Sequence, residues 1–164
     1  MITGKRAFAG HQICGWLIAL GVLLTPGLTR GQTVEVPNLS LDGARAVLHA
    51  AEQKAQQLAA PSSLAVVNPA GDLILFEQMQ GARPIGIELA IGKARSAALF
   101  QLPTQALEAA INTGRPAAIT AKQIQMQGGV PIRVGSAIVG AVGVSGLDND
   151  NGVAIAEAAA AAVK

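Results

Sequence analysis

The sequence predicts an α+β fold, an antiparallel sheet covered by helices, on three observations. The first is the stretch 128–146, which reads as two strands around a tight turn. Pro131 has no N–H to donate and suits an edge or the start of a strand. Ile132 and Val134 alternate with Arg133, Gly135-Ser136 has the make-up of a two-residue hairpin turn, and residues 138–144 return as a nearly unbroken apolar run. The second observation is another hairpin at 63–79, whose runs flank the turn Asn68-Pro69-Ala70-Gly71. The third is helical periodicity elsewhere, clearest in Leu41, Ala44, Val47, Leu48, Ala51, Ala55 and Leu58. Consecutive hairpins imply antiparallel pairing, and the apolar helix stripes need a sheet to cover.

In chain order the first helix spans 41–58, capped by Asn38 or Ser40 and stopped before Pro61. Strands at 63–68 and 72–79 follow. Pro84 fits the first turn of a second helix that runs through Ile87, Ala90, Ile91, Ala94, Ala98 and Leu99. Pro103 ends it, and Thr104 is placed to cap a short third helix to Ile111. The loop 112–118 contains Gly and Pro and reads as a flap over a site. Residues 119–127 are expected to form a strand feeding Gly128-Gly129, which makes five strands in all. Asp148 and Asp150 then introduce an Ala-rich last helix over 153–163. Gly140, Gly143 and Gly146 recur at intervals of three, which follows neither face of a strand, so they mark either a packing groove or a binding groove.

Residues 1–31 read as a signal peptide. Lys5 and Arg6 form a positive start, residues 13–24 a short apolar run, and Thr25-Pro26-Gly27 a break, with cleavage after Gly27 or Gly31. An uncleaved anchor helix is the alternative. Residues 32–38 are a flexible lead-in, and 39–164 a single domain. Without the leader the chain carries 12 − 3 = 9 basic and 10 acidic side chains, a formal net charge of −1. That balance, with aromatics at only 2% of the chain, argues against nucleic acid as a partner. The one cysteine, Cys14, leaves with the leader, so the mature chain has no thiol for a disulfide, a metal or a nucleophile. The expected location is the periplasm or the exterior, with no membrane span after cleavage.

Several segments together resemble one family. Gly128-Gly129-Val130-Pro131-Ile132, then Ile138-Val139-Gly140-Ala141-Val142-Gly143-Val144-Ser145-Gly146 and an Ala-rich helix, are similar to the C-terminal half of the GlcG/HbpS-like family, which includes secreted haem-binding proteins and the C-terminal domain of PduO-type corrinoid adenosyltransferases. Ala65-Val66-Val67-Asn68-Pro69-Ala70-Gly71-Asp72-Leu73 resembles its first hairpin, with Asn68 for the usual Asp. Ala90-Ile91-Gly92-Lys93-Ala94-Arg95-Ser96-Ala97 resembles its lysine-bearing helix, with Ser96 for the usual Thr, and Pro103-Thr104 its Pro-Thr step. The resemblance covers about residues 39–163. It implies a profilin-like fold, a five-stranded antiparallel sheet with helices on both faces, assembly into a homo-oligomer, and haem as cofactor.

Haem iron takes His, Cys, Met or Tyr as axial ligand. The mature chain offers His49, Met79 and Met126, of which Met126, just before Gly128-Gly129, reads as hydrophobic filler. His49 is the candidate ligand and metal site, at the margin of the first helix's apolar stripe, although a lone helix histidine is more often a solvated or locally hydrogen-bonded one. Lys93 matches the family lysine and, with Arg133, is a candidate partner for the propionates; Arg95 and Arg115 are the other cations available. In the haem reading Thr104 sits near the iron. Other chemistries fit poorly. Ser145 lies outside any G-x-S-x-G pattern, the spacing of Gly140, Gly143 and Gly146 is not a dinucleotide fingerprint, and Val153 and Ala159 occupy positions where a calcium loop starting at Asp148 needs Gly and Glu. The expected function is an exported haem- or tetrapyrrole-binding protein without catalysis, in haem handling or redox sensing. The alternatives are an enzyme or accessory protein of small organic acid (glycolate-type) or aldehyde metabolism, and a structural oligomer without ligand.

Overall fold

A computed structural model of the protein describes residues 34–164. The proposed signal peptide, 1–31, lies outside the described residues, as does the start of the lead-in.

The first helix, α1 (Leu41–Gln57), starts at Ser40, whose Oγ accepts the Gly43 N–H at 3.1 Å and satisfies one of the donors a helix start leaves unpaired. Its buried stripe is Ala44, Val47, Leu48, Ala51 and Ala55. Leu41, expected on that stripe, is exposed. Leu39 takes its place in the core, tied down by its N–H to the Val139 carbonyl at 2.9 Å. β1 (Ser63–Val67) and β2 (Leu73–Gln78) form the first hairpin. Its turn is held by the Asn68 side chain, whose Oδ1 accepts the Asp72 N–H at 2.9 Å, while Gly71 takes a φ of +87° that other residues avoid.

α2 (Gly86–Phe100) begins two residues after Pro84, and α3 (Thr104–Thr113) follows within four residues. β3 (Gly129–Val134) and β4 (Ala137–Ser145) form the second hairpin, with Gly135 supplying the positive φ, +59°, that a two-residue turn asks of its first position. Last comes α4 (Asn149–Ala160). Asp148 caps it, its Oδ1 accepting the N–H groups of Asp150 at 2.8 Å and Asn151 at 3.4 Å.

The sheet contains four strands, in the order β2-β1-β4-β3, with every neighbouring pair antiparallel. This corrects the five-stranded expectation. Residues 119–127 do not extend into a strand. Pro116 opens a short 3-10 turn, Pro116–Ala121, and Lys122 then adopts a left-handed φ of +56°, incompatible with a strand. Beyond it the Gln125 side chain donates to the Ala118 carbonyl at 2.7 Å, and the Gln127 N–H is taken by the Glu108 carboxylate at 2.9 Å, so the segment folds onto itself and α3.

Helices cover both faces of the sheet. On one, α1 and α4 close over Leu64, Val66, Ile132, Val142 and Val144. On the other, α2 lays Ala90, Ala94, Ala97 and Ala98 on Ala65, Val67 and Ala141. Alanine on both sides lets α2 approach closely, and glycine lets it approach further. A Cβ on Gly143 would run into the Ala90 carbonyl and the Ala94 backbone, and one on Gly129, its cross-strand partner, into the Lys93 carbonyl. Gly140 abuts the Val67 carbonyl, and a Cβ on Gly146 would lie 2.8 Å from Ser62 Oγ. All three glycines of the 140–146 run are therefore packing positions.

Candidate functional site

Two of the residues singled out from sequence meet at the start of β3. Lys93 projects from α2 toward the sheet and is buried, its Nζ donating to the Val144 carbonyl at 3.2 Å. Burial holds its pKa below the usual 10.5; nearby Glu108 works against that shift and Arg83 adds to it. Thr104 is also buried. It was expected to cap α3, but Pro103 occupies the cap position and Thr104 is the first helical residue. Its hydroxyl turns inward, accepts the Gly129 N–H at 2.8 Å and lies 3.4 Å from the Gly129 carbonyl oxygen. A Cβ on Gly128 would come within 3.4 Å of Lys93 Nζ, so the two side chains clamp Gly128-Gly129 against β4, where the Gly128 carbonyl accepts the Val144 N–H at 2.8 Å.

The other two residues stand elsewhere. Arg133 is exposed at the far end of β3, with its guanidinium 3.4 Å from the Gln101 carbonyl oxygen. His49 is exposed on α1, on the opposite face of the sheet from α2, with Nε2 3.1 Å from Gln53 Nε2. Lys93 and Thr104 are thus brought together, while Arg133 and His49 join neither that junction nor each other. Met79 is half-buried against the α1 side of the core and lines a separate recess with Ala55, Ala59 and Pro61.

The space available to a ligand lies beside the junction, and sequence reading passed over it. A shallow, open pocket of about 340 Å³ is enclosed by α2, α3 and the segment 119–126. Leu89, Ile111, Ile119, Ile124 and Met126 supply its apolar walls, and Glu108 is the one acidic side chain that lines it. Glu108 also fixes the pocket's far wall through the Gln127 N–H. Gln123 and Ile124 form a partition with a second recess of about 230 Å³, lined by the cations Arg95 and Lys122 together with Glu88. Ile124 is seated against Gly92, where a Cβ would collide with its side chain. A signal for this pocket did exist: Ile119, Ile124 and Met126 are apolar residues in a glutamine-rich stretch with no strand partner to bury them. The neighbouring loop 112–118, read as a flap, ends at its edge.

Among the described residues no group of three or more His, Cys, Asp or Glu could hold a metal ion, and no helix is long and apolar enough to cross a membrane.

Comparison with known proteins agrees with this architecture. A family model described as haem degrading protein HbpS-like matches residues 39–161. Protein GlcG of Escherichia coli K12 is 38% identical over 108 residues, 65% of this chain and 81% of that protein. The crystal structure of HbpS is similar with a TM-score of 0.76 and 27% identity, over 82% of this chain and 97% of that one. A PduOC structure solved as a complex with haem is similar with a TM-score of 0.70 and 26% identity, over 77% of this chain and 96% of that one. With three quarters of its length inside one family model and the same layered sheet, the chain belongs to the HbpS-like family.

Proposed function

We propose that this protein binds haem or a related tetrapyrrole in the pocket between α2, α3 and residues 119–126, and that it does so as an exported binding protein. The observation that carries the reading is the pairing of two recesses across Gln123 and Ile124, one apolar, the other holding Arg95 and Lys122. A haem is an apolar disc with two carboxylates on one edge. Aliphatic walls suit the disc, and cations across the partition suit the carboxylates. The donor set also fits, since Met126 stands at the pocket and methionine is a haem ligand type. The PduOC relative, solved with haem bound, supports the same class of ligand. Bound haem would supply a redox-active iron; the chain's own residues would bury the ring edge and pair its charges. Lys93 and Thr104 act behind the pocket in this reading, holding Gly128-Gly129 and hence the end of its wall.

Export and assembly are the remaining parts of the proposal. Lys5, Arg6 and the apolar run 13–24 support a cleaved leader, which N-terminal sequencing of the periplasmic or secreted protein would find removed after Gly27 or Gly31. A homo-oligomer follows from the family resemblance and is checked by the mass of the mature protein in solution.

The central test is a haem titration followed by absorbance, with His49→Ala alongside. The expected outcome is a saturable Soret shift at about one haem per chain for both proteins, because His49 lies across the sheet from the pocket. A linear rise without saturation would mean that haem merely adheres to apolar surface, and the reading would fall. A shift lost in His49→Ala would move the site to α1.

A further inference from the structure

We infer that Met126 supplies the axial sulfur to the iron of haem bound in this pocket; the inference rests on the haem reading above. The sequence has no tyrosine, and the side chains of ligating type among the described residues are His49, Met79 and Met126. His49 faces away from the pocket, on α1. Met79 packs against the core on the α1 side and lines a different recess. Met126 alone of the three lines the pocket, where it is partly exposed.

Its neighbours explain how it is held there. The Gln125 side chain is fixed by the Ala118 carbonyl at 2.7 Å, and the Gln127 backbone by Glu108 at 2.9 Å. Met126 is thus flanked by one neighbour held through its side chain and one held through its backbone N–H. Rotation about Cα–Cβ and Cβ–Cγ lets the sulfur turn toward an iron without moving the wall. A thioether is a soft donor that raises the reduction potential of haem iron, so the geometry favours a bound haem poised toward the ferrous state.

The test uses the full chain loaded with haem and compares wild type with Met126→Leu and Met126→His. Absorbance and a potentiometric titration are the readouts, with circular dichroism as the check on folding. For wild type, the ferric spectrum should contain the charge-transfer band of a sulfur–iron bond. Met126→Leu should lose that band and shift the midpoint potential downward, or lose saturable binding with its fold intact. Met126→His should restore tight binding with an imidazole-type spectrum. Saturable binding by Met126→Leu with an unchanged spectrum and potential would overturn the assignment and leave haem binding standing. Absence of saturable binding in wild type would bring down both.

Discussion

Thr104 illustrates how one hydroxyl can hold a site together. Its Oγ1 accepts the buried Gly129 N–H at 2.8 Å. Thr104→Val keeps the shape and removes the acceptor, so the N–H is left buried without a partner. The expected cost is about 1–3 kcal/mol, read from the shift in the urea midpoint, with Thr104→Ser recovering most of it. Lys93 makes a prediction in pH. Its folded-state pKa lies below the 10.5 of the unfolded chain. Under that lowered value the amine is charged in both states, and the cost of burying it is constant. Between the lowered value and 10.5 the unfolded chain holds the proton more tightly, so stability rises with pH across that window. Lys93→Met should flatten the rise and leave the protein relatively more stable at neutral pH, as measured by urea melts at a series of pH values. Both residues were legible in the sequence through the motifs that contain them. What they touch was not, because Gly128-Gly129 lies 24 residues or more along the chain from each and reaches them only through β3's place in the sheet. Met126 was harder still. Its significance depends on two neighbours anchored by Ala118 and Glu108, and nothing in a glutamine-rich run announces those bonds.

At the scale of elements, the two glycines Gly143 and Gly152 separate packing from propensity. Gly143 lies under α2 with backbone atoms in the space a Cβ needs, and a backbone cannot rotate away as a side chain can. Gly143→Ala is expected to cost about 1–3 kcal/mol or more and to lower Tm, because α2 must lift off the sheet. Gly152 sits inside the first turns of α4, where a Cβ would meet only the Val144 carbonyl oxygen at 3.8 Å. Gly152→Ala should be neutral or stabilising by up to about 1 kcal/mol, since alanine restricts the unfolded chain and favours the helix. The second hairpin was the element most fully readable in advance: Gly135-Ser136 marked the turn, alternation marked the first strand and an unbroken apolar run marked the second. The segment 119–127 was the least readable. Its apolar residues suggested a strand by composition, but Lys122 is in a left-handed conformation and the Glu108 carboxylate takes the Gln127 N–H that a strand would have used.

At the scale of the molecule, an antiparallel sheet between helices was expected from the hairpins and found. The order of strands was not, because hairpins define only adjacent pairs. The contact that joins them is β1 against β4, from Ser63 opposite Ser145 to Val67 opposite Ala141. That contact has a consequence for how the chain comes to be folded. The first hairpin is complete by Gln78, yet its inner strand, buried throughout, has no neighbour on its second side until residues more than 70 positions later are available. Loop-closure entropy of that size is met before any of the central ladder is gained, so folding is a late, cooperative event of the whole domain and not a stepwise accretion from the N-terminus. A growing chain therefore carries β1 with one edge unpaired until β4 is made, and an unpaired edge is a template for pairing with other chains.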